Sequence, residues 1–270
     1  MSIGSKKNIT SWVEFRNINV YLDNKRILNN INVNIKYGEN VLILGPNGSG
    51  KSTFLKLLNR SIYPIVEGNS SFKLLNKKDI NIWALRKEIG FLFKDMEERV
   101  KKGVKLKDLI ISGFTGTFNA RYVKLLTKSE TEKIDNLIIK LDLMDIANQE
   151  FSSLSDGQKR RAMLARALVY KPKLLVLDEP FCNLDIKSNF ILNKTIIKLI
   201  KKNVNIVYVT HSLESIIPST NRVLLIKEGK IINDGKPNDL INSETLSHLF
   251  NISIKVIKQG DYWRSIPANN

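Results

Sequence analysis

The chain has 270 residues, 43% of them hydrophobic, and a formal charge of +17 from 43 basic and 26 acidic side chains. That length suits one large domain or two small ones, and the apolar content is enough for a sizeable core. The lysines are spread along the chain, with no aromatic-interleaved basic stripe and no nucleic-acid-binding signature, so nucleic acid is not an expected partner. A composition rich in Lys, Asn and Ile accounts for the charge, and contact with a membrane-bound partner stays open. No uninterrupted apolar run approaches the ~20 residues that span a bilayer. The start, MSIGSKKNIT, is polar and unlike a signal peptide, and Cys182 as the sole cysteine excludes an internal disulfide. A cytoplasmic protein is expected.

From about Trp12 to Lys36, apolar and polar residues alternate in WVEFRNINVYL and INVNIK, which predicts strands with one buried face. VLIL at Val41–Leu44 is continuously apolar and predicts a strand buried on both faces. A glycine-rich loop follows, and KSTFLKLLNR reads as a helix. From roughly Lys94 to Leu164 the spacing turns helical, in KLKDLIISGF and SETEKIDNLIIKLDLMDIA, predicting an inserted helical subdomain. LLVLDEP at Leu174–Pro180 is a buried strand ending in carboxylates. KSNFILNKTIIKLIKK is a helical pattern, and VNIVYVTH at Val204–His211 a buried strand ending in histidine. The remainder returns to short alternating stretches, RVLLIKEGKII and ISIKVIKQGDYWRSI, with KEGK as a hairpin turn and the final PANN expected to fray. Strands alternating with helices imply an α/β fold, a mostly parallel sheet with helices on its faces.

Three stretches carry chemistry. GPNGSGKS at Gly45–Ser52 fits G-x-x-x-x-G-K-[ST] between a strand and a helix. Gly45, Pro46, Asn47, Gly48, Ser49 and Gly50 form a loop whose N–H groups can wrap a phosphate. Lys51 is placed to meet the β- and γ-phosphates, Ser52 to ligate Mg²⁺, and the helix to offer its positive dipole end. Asp178, ending an apolar strand, is placed to hold Mg²⁺ directly or through water. Glu179 is placed to orient or deprotonate an attacking water. His211 is a candidate γ-phosphate sensor, although a lone histidine is more often structural. In LSDGQKRRAMLARAL, Leu154–Leu168, a glycine-containing turn opens a basic amphipathic segment. Its hydroxyl, backbone N–H and helix N-terminus suit a second anion site.

With these motifs in this order, the chain resembles the ATPase subunit of ABC transporters across nearly its whole length. Walker A lies at Gly45–Thr53, the signature at Leu154–Gln158, Walker B at Leu174–Asp178, the catalytic glutamate at Glu179, the D-loop NLD at Asn183–Asp185 and the switch histidine at His211. The resemblance implies a P-loop NTPase of ABC ATPase type over residues 12–252, with an N-terminal antiparallel β part. The helical subdomain at about 94–164 is inserted in its nucleotide-binding core, and a strand-like tail follows at 253–270. It implies ATP and Mg²⁺ as cofactors, with residues through Thr53 around the triphosphate. Tyr21 sits where the family stacks an aromatic ring on adenine, an ordinary strand tyrosine being the alternative. It further implies a head-to-tail pair with a second copy or a related ATPase subunit. Each ATP then lies between one phosphate loop and the other subunit's Ser155, Gly157 and Gln158. LIISGFTGTF and LSHLFNISIKVI resemble segments of metal-chelate, iron-siderophore and molybdate importer ATPases. That implies uptake through separate transmembrane permease subunits, and a peripheral place at the inner face of the cell membrane.

Two residues depart from the family pattern. Asp156 stands where LSGGQ has its first glycine. A carboxylate beside a triphosphate is repulsive unless it points away, and capping the following helix is the expected alternative. In IGFLFKDMEERV, Ile89–Val100, Lys94 stands where the Q-loop places glutamine. Lysine accepts no hydrogen bond and repels Mg²⁺, so a shifted register with Glu97 reaching inward is an alternative. Lys94 keeps open a soluble ABC-type ATPase with a regulatory or remodelling role and no transmembrane partner. It also keeps open a nucleotide-binding module without turnover.

Overall fold

A computed structural model describes residues 10–65, 67–118 and 125–268. The polar start and the last two residues, where fraying is expected, lie outside the described residues. In chain order the elements are β1 (Ser11–Leu22), β2 (Lys25–Lys36), β3 (Val41–Leu44), α1 (Lys51–Leu58), β4 (Ser71–Leu74), α2 (Ile82–Glu88) and β5 (Ile89–Leu92). Then come α3 (Leu106–Ile111), α4 (Lys128–Lys140), α5 (Asp156–Ala167), β6 (Leu174–Asp178), α6 (Ile186–Ile200) and β7 (Asn205–Thr210). The chain closes with β8 (Arg222–Lys227), β9 (Lys230–Gly235), α7 (Pro237–Leu240), α8 (Ser243–Phe250), β10 (Ile254–Gln259) and β11 (Tyr262–Pro267). No helix among the described residues is long and apolar enough to cross a membrane. The chain divides into two compact units, Met1–Ile82 with Thr220–Ile257 and Ser265–Asn270, and Trp83–Ser219 with Lys258–Arg264.

In the first unit, β1 and β2 pair antiparallel and β4 joins the other edge of β1. Val13, Phe15, Ile18 and Val20 are buried, the alternation slipping by one residue at the irregularity between Phe15 and Ile18, and Phe15 stacks on Phe72 of β4 at 4.7 Å between centroids. Asp23 and Asn24 turn the hairpin with φ 47° and 60°, the paired positive angles a two-residue turn needs to match strand twist. β3 is buried throughout, as its continuous apolar run requires, and pairs parallel with β8. β8 returns as antiparallel β9 through the KEGK turn, with Glu228 and Gly229 at φ 49° and 73°.

The two stretches read as short and alternating hold the strands β8, β9, β10 and β11. Between them lie α7 and α8, which the sequence pattern did not announce. Pro237 starts α7 at a position where a missing N–H costs nothing. Asn242 caps α8 by accepting from the Thr245 N–H at 2.9 Å, and Leu246 and Leu249 are buried. An eight-residue helix is too short for its apolar spacing to stand out from a strand.

In the second unit, β5, β6 and β7 run parallel in that order. β6 is buried from Leu174 to Leu177 and β7 along its whole length, as strands covered on both faces must be. Gly90 of β5 admits the end of α5, since a Cβ there would lie 2.6 Å from the Ala167 carbonyl oxygen. The region expected to be helical contains α3, α4 and α5, with short 3-10 turns between them. α4 opens on a reciprocal capping box between Thr127 and Glu130.

Candidate functional site

The phosphate loop belongs to the first unit and follows β3 directly. Gly45 is buried, and a Cβ there would lie 2.1 Å from the Ile226 carbonyl oxygen, so only glycine lets the loop lie against β8. Gly48 and Gly50 hold φ 78° and 102°, angles that cost glycine nothing. Gly50 is also the N-cap of α1, which begins at Lys51. The positive end of the helix thus faces the loop with no side-chain cap and no acidic residue in its first turn, an arrangement that favours an anion. Lys51 is buried at 6% exposure and donates from Nζ to the carbonyls of Gly45 and Pro46, both at 2.8 Å. Its ammonium is thus fixed inside the loop's own curve. Ser52 is exposed and Thr53 half-buried. Tyr21, near the end of β1, is 44% exposed, with the Arg26 guanidinium 5.9 Å from its ring centroid.

In the second unit, β6 and β7 end level, with Asp178 opposite Val209. Parallel strands deliver whatever follows them to the same edge, the carboxyl end where ligands of such sheets bind. Glu179, one residue past β6, and His211, one residue past β7, therefore meet. Nδ1 of His211 lies 2.7 Å from Oε1 of Glu179, whose side chain is 17% exposed. An ionised carboxylate only accepts, so Nδ1 carries the proton and Nε2 is left for another partner. Glu179 holds φ 47°, a left-handed backbone that costs a non-glycine residue roughly 1 kcal/mol or more and clusters at functional positions. Its N–H donates to the Val209 carbonyl at 3.2 Å, which holds the strained residue in place. Asp178 is half-buried at the end of β6.

The signature turn also lies in the second unit, where Ser155 is the N-cap of α5. The Gln158 N–H donates to Ser155 Oγ at 3.3 Å, and the Ser155 N–H donates to Gln158 Oε1 at 2.9 Å. This reciprocal box is worth about 1 kcal/mol. It corrects the expectation that Asp156 caps the helix: Asp156 is exposed in the first turn, where its charge favours the helix dipole without closing it. The pattern S-x-x-Q before a helical run carried that signal. Gly157 is required by packing, because a Cβ there would lie 2.2 Å from Ser188 Oγ. Ser188 is held by Asp185, the cap of α6, which accepts from its N–H and its hydroxyl, each at 2.8 Å. The Ser188 backbone N–H in particular holds the Asp185 carboxyl below its ordinary pKa. Ser155, Gln158, Asp185 and Ser188 line one cleft of about 300 Å³ together with Arg161 and Lys187.

Past β5, Lys94 is exposed at the start of a 3-10 turn, Lys94–Met96. Glu97 is the more buried of the two, and it faces Arg160 of α5. Sequence reasoning did not find Arg160, nor the buried Arg166, which donates to Ser112 Oγ and the Thr117 carbonyl. Burial, with Arg86 and Arg99 nearby, lowers the Arg166 pKa to about 10.

Among the described residues, no group of three or more His, Cys, Asp or Glu is gathered to hold a metal. A hydroxyl at Ser52 and a carboxylate at Asp178 are hard oxygen donors. Each is by itself a donor of the kind that Mg²⁺ takes alongside waters and substrate phosphates.

Comparison with known proteins adds four findings. The sequence model of the family described as ABC transporter matches residues 28–182. The chain is 31% identical over 262 residues, 95% of this chain and 99% of the relative, to an uncharacterized ABC transporter ATP-binding protein, YmeB, of Lactococcus lactis subsp. lactis. It is 33% identical over 247 residues, 87% of this chain and 93% of the relative, to the phosphonates import ATP-binding protein PhnC of Treponema denticola. Among solved structures it resembles the ATP-binding cassette MJ0796, described as a dimer in a post-hydrolysis state bound to ADP and Pi. That match has a TM-score of 0.68 and 25% identity, covering 83% of this chain and 98% of that one.

Proposed function

Because the chain belongs to the ABC transporter family as an ATP-binding, ATP-hydrolysing subunit, we propose that two copies close head to tail around two ATP molecules and drive uptake through separate permease subunits. The observation that carries the catalytic part of this reading is the contact between Glu179 and His211 at the carboxyl ends of β6 and β7. In it, Glu179 orients or deprotonates the attacking water, and His211 leaves the Glu179 contact to follow the γ-phosphate. Residues Gly45 to Thr53 wrap the triphosphate, with Lys51 moving from the loop carbonyls to the β- and γ-phosphates. Tyr21 stacks on adenine.

Ser52 and Asp178 are the residues that would hold Mg²⁺, which would supply positive charge against the phosphates. Ser155, Gly157 and Gln158 of one copy complete the site of the other, their helix N-terminus facing its γ-phosphate. The dimeric state of the similar cassette MJ0796 supports the pairing, and the import role in the name of PhnC supports uptake. The chain then sits at the inner face of the cell membrane beside its permease.

The deciding experiment is the solution mass of Glu179→Gln with and without Mg-ATP, alongside Mg²⁺-dependent phosphate release by the unaltered protein. An ATP-driven monomer-to-dimer shift supports the two-copy site. A monomer that binds ATP without pairing removes it. Co-purification without any permease chain favours an ATPase that acts apart from a pore.

A further inference from the structure

Glu97 and Arg160 form a pair that none of the nucleotide motifs uses. Glu97 follows the 3-10 turn beyond β5, and Arg160 lies in the second turn of α5, below the Ser155 cap. Their side chains are 21% and 7% exposed, with Glu97 Oε1 3.3 Å from Arg160 Nη1. Neither of these atoms, nor Arg160 Nε, makes a hydrogen bond among the described residues. A buried guanidinium is tolerated only beside a counter-charge, and for Arg160 that charge is Glu97. Two apolar side chains would fasten the loop to the helix at no smaller gain. A charge pair lacking its hydrogen bonds differs in kind, because a small shift converts it into a bidentate fork. Asp156, at the start of the same helix, acts on the Glu97 charge as well, so this cluster reaches the signature turn itself.

We propose that Glu97 is a positioning residue of this ATPase: through Arg160 it fixes the orientation of α5, and so the way Ser155 and Gly157 are presented to the ATP of a second copy. The proposal rests on the two-copy reading above. It places the link between the loop after β5 and the signature turn in this one ion pair.

The test uses Glu97→Gln, Arg160→Gln and the exchanged pair Glu97→Arg/Arg160→Glu, each alone and in the Glu179→Gln background. Hydrogen exchange at the amides of Gly157 to Lys159 reads the turn directly, with the first turn of α1 as the internal control. Each single change is expected to speed exchange at the turn about tenfold and weaken ATP-driven pairing about tenfold, while the exchanged pair restores both. Unaltered exchange in both single variants overturns the proposal. So does an exchanged pair that folds without restoring the turn. Failure of Glu97→Gln to fold also overturns it, since the pair would then hold the fold and not the turn. If Glu179→Gln alone stays monomeric with ATP bound, the two-copy reading fails whatever exchange shows. If it pairs, and pairs as tightly with Glu97→Gln added, only the positioning role fails.

Discussion

Nδ1 of His211 lies 2.7 Å from Oε1 of Glu179, a contact created by two parallel strands ending level and by a left-handed backbone at Glu179. Replacing Glu179 by Gln keeps the side-chain shape and removes the base. Phosphate release at saturating Mg-ATP is expected to fall by roughly 10²–10⁴. His211→Ala removes the group that orients Glu179 and then follows the γ-phosphate but leaves the base in place, so kcat is expected to fall by less than in Glu179→Gln, with KM for ATP little changed. Near-normal turnover in Glu179→Gln would take the glutamate out of the catalytic role.

Gly157 is glycine for a reason that a phosphate-contacting turn does not require. A methyl group there would meet Ser188 Oγ at 2.2 Å and Ser188 Cβ at 2.5 Å, and Ser188 cannot retreat without leaving Asp185. Gly157→Ala is therefore expected to cost about 1–3 kcal/mol of stability in urea unfolding, the usual cost of overpacking. Adding Ser188→Gly should return most of that loss. If Gly157→Ala is as stable as the unaltered chain, α5 and α6 do not pack in this way.

The parts of the molecule that were legible in the sequence are those where one local pattern decides the structure. VLIL and LLVLD are unbroken apolar runs, and both are buried strands. KEGK is a two-residue turn, and it closes a hairpin. What was not legible depends on partners far along the chain or on very short elements. β5 has four residues, and α8 takes its identity from the Asn242 cap more than from periodicity. In sequence Glu97 stands out only as an alternative to Lys94 and Arg160 not at all, and their burial against one another is visible in the fold alone. The Ser155–Gln158 box was spelled out in S-x-x-Q, but the same residues also read as an anion site. The structure makes them a helix cap as well.

Two glycines of the phosphate loop separate steric need from conformational need. A Cβ on Gly45 would lie 2.1 Å from a backbone oxygen, that of Ile226, whereas one on Gly48 meets nothing within 4 Å. Gly48→Ala is expected to cost only the strain of its positive φ, about 1 kcal/mol. Gly45→Ala must push the loop off β8, and should cost more stability and more ATP affinity. Urea unfolding and ATP titration of the two variants check the order. Equal effects would mean that the loop yields freely at Gly45.

Glu97 adds a pH dependence whose sign follows from its surroundings. Burial raises its pKa above the ordinary glutamate value, Arg160 and Lys159 oppose that shift, and Asp156 and Glu98 reinforce it. A carboxyl whose folded pKa is raised binds its proton more tightly in the folded state. Its contribution to stability is then fully present below the unfolded pKa and lost as pH rises through the folded one. Glu97→Gln has no such group. Stability of the unaltered chain minus that of Glu97→Gln should therefore be largest in acid. It should shrink as pH climbs from the ordinary glutamate value through the raised one, then stay level toward neutrality. Urea unfolding of both proteins across that range measures the difference. A difference that grows with pH would mean that Arg160 outweighs burial and holds Glu97 charged at no cost to the fold.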